Sequence, residues 1–437
     1  MSKKQKCKKT TKETYDFSKL LEYCDEEEKE RFCNNLSSHS VSSLIRNPDA
    51  LSEEELLTVF PNLVRDKEDG LLYRFDKEED AIGRTLEHFL GDFYILDPSS
   101  AAISFYLAPY LRKNFLSLDL CAAPGGKSIA LDMRRKDGLY LCNDISWDRA
   151  LEISKNAQRM HLDNILVMSI DPLKIEKKEI FDLIIADVPC SGSGMIRKDK
   201  KMALDYSDEK MERLLSIQKN IFEKAYSLVR KGGIIAYSTC SLSMKEDEEQ
   251  VALFLKNHPD CSLLSLEMKT GMVKGKDGYG IHMVPGIYDG EGIYFALIRK
   301  EGESDVVLTP YRKAIESVHA DCLELPYKGN SYFVSRFYEE ISDFPYLAPG
   351  LKIKDDTEHP KCEYDHSYCK LCKDLPVIGL DRSQALSFIQ GNELRCKDEA
   401  DGGLVVLAYG NRRIGLGKKN QGKIKNYLPK GLRGYLS

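Results

Sequence analysis

The stretch Cys121-Ala122-Ala123-Pro124-Gly125-Gly126-Lys127-Ser128 closes like a phosphate-binding loop of pattern G-x-x-x-x-G-K-[ST]. Its first position is Cys121, so the glycine that makes the tight turn is missing. The run ending in Asp187 (LIIAD) would supply the acid such a loop needs. Against a triphosphate ligand, Asp144 lies 18 residues beyond Gly126, where a nucleoside-binding sheet sets an acid on ribose hydroxyls. Two cysteines form the second chemical group. Cys190 follows Pro189 and precedes Ser-Gly-Ser-Gly on a bent loop, and Cys240 sits within Ser-Thr-Cys-Ser. A buried cysteine is ordinarily a small apolar side chain, which is the reading for Cys142 and Cys261. Two thiols over one cleft point instead to covalent chemistry. Only the thiolate attacks, and a free thiol has a pKa of about 8.5, which helix starts, Lys127 or Arg197 could lower.

These groups need a frame, and residues 116–300 provide one. Short apolar runs alternate there with helical stretches, the pattern of a parallel sheet covered by helices. Strands are expected at 115–120, 138–145, 164–170, 181–188, 232–239 and 292–299. The longest helix is expected at about 207–229, with Ser207 as N-cap and Asp208 and Glu209 at its positive end. Met211, Leu214, Leu215, Ile221, Phe222, Ala225 and Leu228 share one face of it. Ligands of open parallel sheets bind at the carboxyl ends of the strands. Cys121–Ser128, Asp144, Asp171, Asp187–Cys190 and Ser238–Cys240 follow or end five successive strands. A single strand-end acid often caps the next helix, but five such groups define a cleft.

The chain has 437 residues, 42 % hydrophobic and 30 % charged, enough for two to four domains of about 100–200 residues. The expected division is a basic tail (1–14), an N-terminal domain (15–85), the sheet domain (86–300), a connecting domain (301–360) and a C-terminal domain (361–437). Net charge is −5, so an affinity for nucleic acid has to come from local patches. Residues 411–437 hold eight Lys/Arg and no acid: Arg412, Arg413, Lys418, Lys419, Lys423, Lys425, Lys430 and Arg433. Tyr427, Leu428, Leu432 and Tyr435 are interleaved with them, which favours a folded RNA-contacting surface over a solubilising end. No signal-peptide pattern and no apolar run of about 18 residues occur, so a cytoplasmic protein with free thiols and no membrane span is expected. Cys362, His366, Cys369 and Cys372 contain one C-x-x-C half-site without an obvious second, so no metal is expected there.

LDLCAAPGGKS (118–128), DVPCSGSGMIRK (187–198) and YSTCSLS (237–243) together resemble the Nop/Sun family of RNA (cytosine-5) methyltransferases. LDPSSAAIS (96–104) and SLIRNP (43–48) resemble its upstream segments. GLGKKNQGKIKNYLPKGLR (415–433) resembles the end of the C-terminal RNA-binding part in the RsmF/Fmu-like bacterial branch. The resemblance implies an α/β fold: a class I (Rossmann-like) S-adenosylmethionine methyltransferase domain, a small N-terminal α+β domain and a C-terminal PUA-like RNA-binding domain. It implies S-adenosylmethionine held by Cys121, Ala122, Ala123, Pro124, Gly125, Gly126, Lys127, Asp144, Arg149, Asp171 and Asp187. It makes Cys240 the nucleophile on carbon 6 of cytosine and gives Cys190 a part in releasing the product. Asp187 would meet the base's amino edge, and Lys127 would help orient it. Arg197 and Lys198 would face phosphate. The partner would be RNA, small-subunit ribosomal RNA or the ribosomal subunit first and transfer RNA second, with the protein a monomer. A DNA cytosine-5 methyltransferase would use the Pro-Cys thiol as nucleophile, and a non-catalytic RNA-binding assembly factor would not need both cysteines. One departure stands out. After the nucleophile the chain reads EDEEQV, where the family motif is E-N-E-x-V, and Asp247 is expected to alter helix capping only.

Overall fold

The computed structural model describes residues 17–36, 38, 41–76, 81–176, 179–198, 207–318, 321–355, 364–396 and 402–433. The expected basic tail, Cys362 and Tyr435 lie outside them. In chain order the strands are β1 (Ser42–Arg46), β2 (Val64–Arg65), β3 (Leu72–Phe75), β4 (Phe93–Leu96), β5 (Leu116–Asp119), β6 (Leu139–Asn143), β7 (Ile165–Met168), β8 (Phe181–Asp187), β9 (Val229–Thr239), β10 (Cys261–Leu263), β11 (Met272–Lys274), β12 (Ile281–Met283), β13 (Ile293–Lys300), β14 (Ile315–Glu316), β15 (Leu323–Tyr327), β16 (Asn330–Val334), β17 (Tyr346–Ala348), β18 (Leu351–Asp355), β19 (Val377–Leu380), β20 (Leu394–Arg395), β21 (Gly403–Tyr409), β22 (Arg412–Asn420) and β23 (Lys423–Asn426). The helices are α1 (Glu26–Asn35), α2 (Glu53–Val59), α3 (Leu86–Leu90), α4 (Pro98–Leu107), α5 (Gly126–Asp132), α6 (Trp147–Met160), α7 (Asp208–Leu228), α8 (Glu248–Asn257), α9 (Tyr368–Leu371) and α10 (Arg382–Ile389).

The central sheet runs β11-β12-β13-β9-β8-β5-β6-β7-β17, with β10 also on β13. Strands β5 to β9 are parallel, and β5 lies between β6 and β8, so the strand order reverses there. The apolar strands split by alternation. Tyr140, Cys142, Leu183 and Ile185 face α4, α5 and α6, whereas Leu139, Leu141, Ile184 and Ala186 face α7 and α8. Burial on both faces explains why these strands read as continuous hydrophobic runs.

Ser207 caps α7, accepting from Lys210 N. Gln218 is buried on its inner face, while Leu214 and Leu215 are only half buried. The last expected strand, β13, differs from the reading of a parallel sheet. It runs antiparallel to β9, from Tyr294 opposite Thr239 to Arg299 opposite Ile234. It is entered from the β11–β12 hairpin rather than from a crossover helix, so direction reverses.

The expected boundaries do not coincide with the packing units. β4 completes the first sheet, β2-β3-β1-β4, beyond residue 85. Residues 17–36 pack away from that sheet. Leu21, Cys24 and Phe32 join Leu242, Val273 and Val284 in one cluster beside the nucleophile loop. Strand β17, from the expected connecting region, joins the central sheet at β7. The remaining strands of that region form the sheet β14-β15-β16-β18. The C-terminal sheet, β19-β21-β22-β23-β20, packs with α10 onto Leu86, Phe89 and Leu90 of α3. Arg382 pairs with Glu87, and Arg412 with Asp92, across this contact.

Candidate active site

All five strand-end groups open on one edge of the sheet because β5 to β9 point the same way. The Cys121–Ser128 loop is held from α6. Arg149 Nη2 donates to Ala123 O (3.0 Å) and Asn156 Nδ2 donates to Pro124 O (3.0 Å). Gly125 has φ +100°, a conformation that favours glycine, and a side chain there would press on Ile129 and Ile153. Ser128 Oγ donates to Asp119 Oδ2 (2.9 Å), and Lys127 Nζ donates to Asp187 Oδ2 (2.6 Å). Both side chains that would serve a phosphate are therefore engaged by carboxylates, which removes the triphosphate reading.

Asp187 is held from both sides, since Ser238 Oγ donates to its Oδ1 (2.7 Å). Burial pulls the Lys127 pKa down, but Asp187 and Asp119 outweigh it and the ammonium is stabilised. Burial and then the charge of Asp187 push Asp119 up to about 7. Beside this pair stand the two cysteines, with sulfurs 2.7 Å apart and Cys240 N donating to Cys190 Sγ (3.1 Å). The hydrogen bond to Cys240, then burial, then the charges of Cys240 and Glu246 raise the Cys190 pKa well above that of a free thiol. Cys190 is thus held as a thiol beside the Cys240 sulfur. Burial raises Cys121 and Cys142 as well, in keeping with inert thiols.

A buried acid that the sequence reading passed over braces both cysteine loops. Glu246 accepts from Ser191 N (2.8 Å), Gln218 Nε2 (2.9 Å) and Ser241 Oγ (2.6 Å). Its neighbour Asp247 departs from expectation. It makes no side-chain cap to α8 and instead accepts from Thr239 Oγ1 (2.5 Å), because its side chain turns back under the strand end. Thr239 Oγ1 in turn accepts from Ser241 N (3.1 Å), so the residues flanking Cys240 are fixed from below.

At the end of β6, Asp144 Oδ1 accepts from Ser146 N (3.0 Å). Its Oδ2 is buried and makes no hydrogen bond, although Arg149 Nη1 stands 3.3 Å away. An acceptor of this kind suits a ribose diol, and with the Gly125 turn it fits the nucleoside and methionine parts of S-adenosylmethionine. Ile145, which follows it, is 66 % exposed and is a second group absent from the sequence reading. Asp171 caps the short turn Pro172–Lys174, accepting from Leu173 N (3.0 Å).

Several expected phosphate contacts are structural instead. Arg197 is buried. It donates to Asn35 Oδ1 and Gly290 O and pairs with Glu291 at 3.4 Å, tying the Cys190 loop to α1. Arg412 is spent on Asp92, Arg413 on the carbonyls of Cys369 and Cys372, and Arg433 on those of Leu428 and Asn426. Lys419 is buried. These side chains sit where strand alternation turns them inward or where a carbonyl cluster needs a donor. Lys198 is exposed and 3.3 Å from Asp97. Lys418, Lys423, Lys425 and Lys430 are exposed, and Lys418 lies directly opposite Lys425. Cys369 and Cys372 are buried in an apolar cluster with Phe333 and Leu351, and burial pushes their thiols to about 12 and about 11. Among the described residues they bring no three metal-ligating groups together with His366.

A doubly wound parallel sheet with a glycine turn after β5, an acid after β6 and catalytic-type side chains after β8 and β9 defines a class I S-adenosylmethionine-dependent methyltransferase. The family model for 16S rRNA methyltransferase RsmB/F matches residues 105–299, and that for the methyltransferase RsmF PUA domain matches 375–434. The chain is 27 % identical over 390 residues to ribosomal RNA small subunit methyltransferase F of Aeromonas salmonicida, covering 80 % of this chain and 81 % of that one. It is 26 % identical over 452 aligned positions to the protein of that name from Vibrio vulnificus, covering 94 % and 93 %. Among solved structures, a methyltransferase homologue from Pyrococcus horikoshii shares the fold (TM-score 0.56, 23 % identity, 65 % of this chain and 95 % of that one). So does NSun6 of the same organism (TM-score 0.58, 17 %, 66 % and 97 %). Residues 105–299 thus belong with the RsmB/F methyltransferases and residues 375–434 with the RsmF PUA domain, and the chain is similar along most of its length to the RsmF-like branch of the Nop/Sun RNA (cytosine-5) methyltransferases.

Proposed function

We propose that this protein methylates carbon 5 of a cytosine in small-subunit ribosomal RNA, with Cys240 forming a transient bond to carbon 6. The observation that carries the reading is the pair of sulfurs 2.7 Å apart beside the Lys127–Asp187 ion pair. Carbon 5 of cytosine is a poor nucleophile. Addition of the Cys240 thiolate to carbon 6 makes the ring enamine-like and moves nucleophilic character to carbon 5. S-adenosylmethionine supplies the electrophilic methyl group. Asp187, fixed by Lys127 and Ser238, faces the amino edge of the base and stabilises the charged ring. Release requires the carbon-5 proton to leave and the carbon 6–sulfur bond to break. Cys190, in hydrogen-bond contact with the Cys240 sulfur, serves that step. The target base is flipped or already single-stranded. Lys418, Lys423, Lys425, Lys430 and Lys198 supply phosphate contacts, and the basic N-terminus adds to them. The protein acts in the cytoplasm as a monomer.

Bisulfite sequencing of ribosomal and transfer RNA from a strain lacking this protein and from its parent tests the reading. One small-subunit cytosine should lose its methyl group and regain it with the wild type but not with Cys240→Ala. A loss confined to transfer RNA moves the substrate. No change in any cytosine leaves the chain an RNA-binding assembly factor.

A further inference from the structure

Beneath the nucleophile loop lies a polar cluster that the methyl transfer does not use. Asp247 and Glu248 stand at the start of α8, and His282 is the middle residue of β12. All three are buried. One ligating atom from each lies within 4.8 Å of those from the other two. Asp247 Oδ1 accepts from Thr239 Oγ1. Glu248 Oε1 accepts from Lys276 N (3.0 Å) and lies 2.8 Å from His282 Nε2. Asp247 Oδ2, Glu248 Oε2 and His282 Nδ1 make no hydrogen bond. A buried polar atom left without a partner is costly, and here three fall in one cluster.

Among the described residues neither Asp247 nor Glu248 forms an ion pair with Lys or Arg. His282 is the one basic side chain on either. The adjacent Glu246 is already saturated by Ser191, Gln218 and Ser241. The walls are aromatic. Tyr23 stacks on His282 with ring centroids 3.6 Å apart, and Tyr294 lies on it at 4.8 Å. A Cβ at Gly275 would stand 3.1 Å from Glu248 Oε1, so the backbone closes tightly over the carboxylate.

We propose that Asp247, Glu248 and His282 bind one divalent transition-metal cation, which ties β12 and the start of α8 to the strand end carrying Cys240. Two carboxylates balance the charge of a divalent ion. One imidazole nitrogen with carboxylate oxygens suits Zn²⁺, Mn²⁺ or Fe²⁺ better than Mg²⁺ or Ca²⁺, which favour oxygen alone. Ligands around a tetrahedral ion stand about 3.4 Å apart, so binding draws the three side chains slightly together. The site depends on the departure at residue 247, where the family's asparagine would offer a neutral amide instead of a carboxylate. Tyr23 covers the His282 ring, so the metal also anchors the segment carrying α1.

The test uses the full-length protein, stripped with a chelator and titrated with Mn²⁺ alone. Mn²⁺ is the probe because 13 cysteines would take up Zn²⁺ elsewhere. One equivalent should bind, seen by calorimetry and by loss of the free Mn²⁺ electron spin resonance signal, and Mg²⁺ should bind at least tenfold more weakly. Asp247→Asn, which restores the family residue, should keep the far-ultraviolet dichroism of the wild type and lose at least tenfold in Mn²⁺ affinity. His282→Gln should lose as much. If the stripped wild type takes up no Mn²⁺, the proposal fails. It fails equally if both variants bind Mn²⁺ as tightly as the wild type.

Discussion

Lys127, Ser238 and Asp187 form a unit in which the carboxylate is held by two donors before any base arrives. Such preorganisation is worth most where charge develops, so Asp187→Ala should slow methyl transfer by about 10²–10³-fold at saturating cofactor, measured in single-turnover assays. Glu246 acts one step back from the chemistry. Glu246→Gln keeps its shape but removes the charge that serves Ser191 N, Gln218 and Ser241 Oγ. A drop in kcat without a shift in the Michaelis constant for RNA is the expected signature. The side chains proposed for catalysis could be named in advance because each sits in a local motif at a strand end. Glu246 was not, since an acid in a run of acids reads as a solvated helix start. Its burial depends on Gln218, 28 residues away and on a different helix. Arg197 was misread for the converse reason. A basic loop residue looks exposed until Asn35 and Glu291 are folded around it.

At the scale of elements, α3 and the loop after it form the dock for the C-terminal domain. Asp92 is fully buried there, and burial outweighs the opposing pull of Arg412 and lifts its pKa to about 7. The ordinary value of the unfolded chain is lower, so this group's contribution to stability is fully present below that value and is lost as pH rises through about 7. Asp92→Asn should therefore gain on the wild type by about 1.4 kcal/mol per pH unit between about pH 4 and 7, then level off, in urea melts followed across that range. Arg412→Ala strands the Asp92 carboxylate. It should cost about 3–5 kcal/mol at pH 8 and clearly less at pH 5. The parallel strands and α7 were legible within a few residues, because apolar runs and the Ser207 cap are local signals. The direction of β13 was not. An antiparallel strand inside the sheet, buried on both faces, has the same composition as a parallel one, and only the preceding hairpin distinguishes them.

For the molecule as a whole, the packing of residues 17–36 beside Leu242 and the seating of the C-terminal sheet on α3 join the terminal regions to the catalytic domain. Neither contact leaves a sequence pattern, because each pairs apolar residues more than two hundred positions apart. The basic C-terminal region was legible as a charged surface but not in detail. Strand alternation on β22 and β23 turns Lys419 inward and leaves Lys418, Lys423 and Lys425 outside. Like charges directly opposite, as at Lys418 and Lys425, repel and favour an intervening phosphate. Replacing Lys418, Lys423 and Lys425 together by Gln should weaken RNA binding and reduce the slope of log affinity against log salt by about 2–3, with S-adenosylmethionine binding unchanged. An unchanged slope would place the phosphate contacts elsewhere.

The most direct test of the central claim is covalent capture. Cys190→Ala, Cys240→Ala and the double variant would be incubated with S-adenosylmethionine and small-subunit RNA, then run on a denaturing gel. Cys190→Ala should carry a slow-migrating protein–RNA band that the other two lack, if Cys240 forms the bond and Cys190 is needed to release it as proposed. A band in Cys240→Ala with none in Cys190→Ala would contradict the account and make Cys190 the nucleophile.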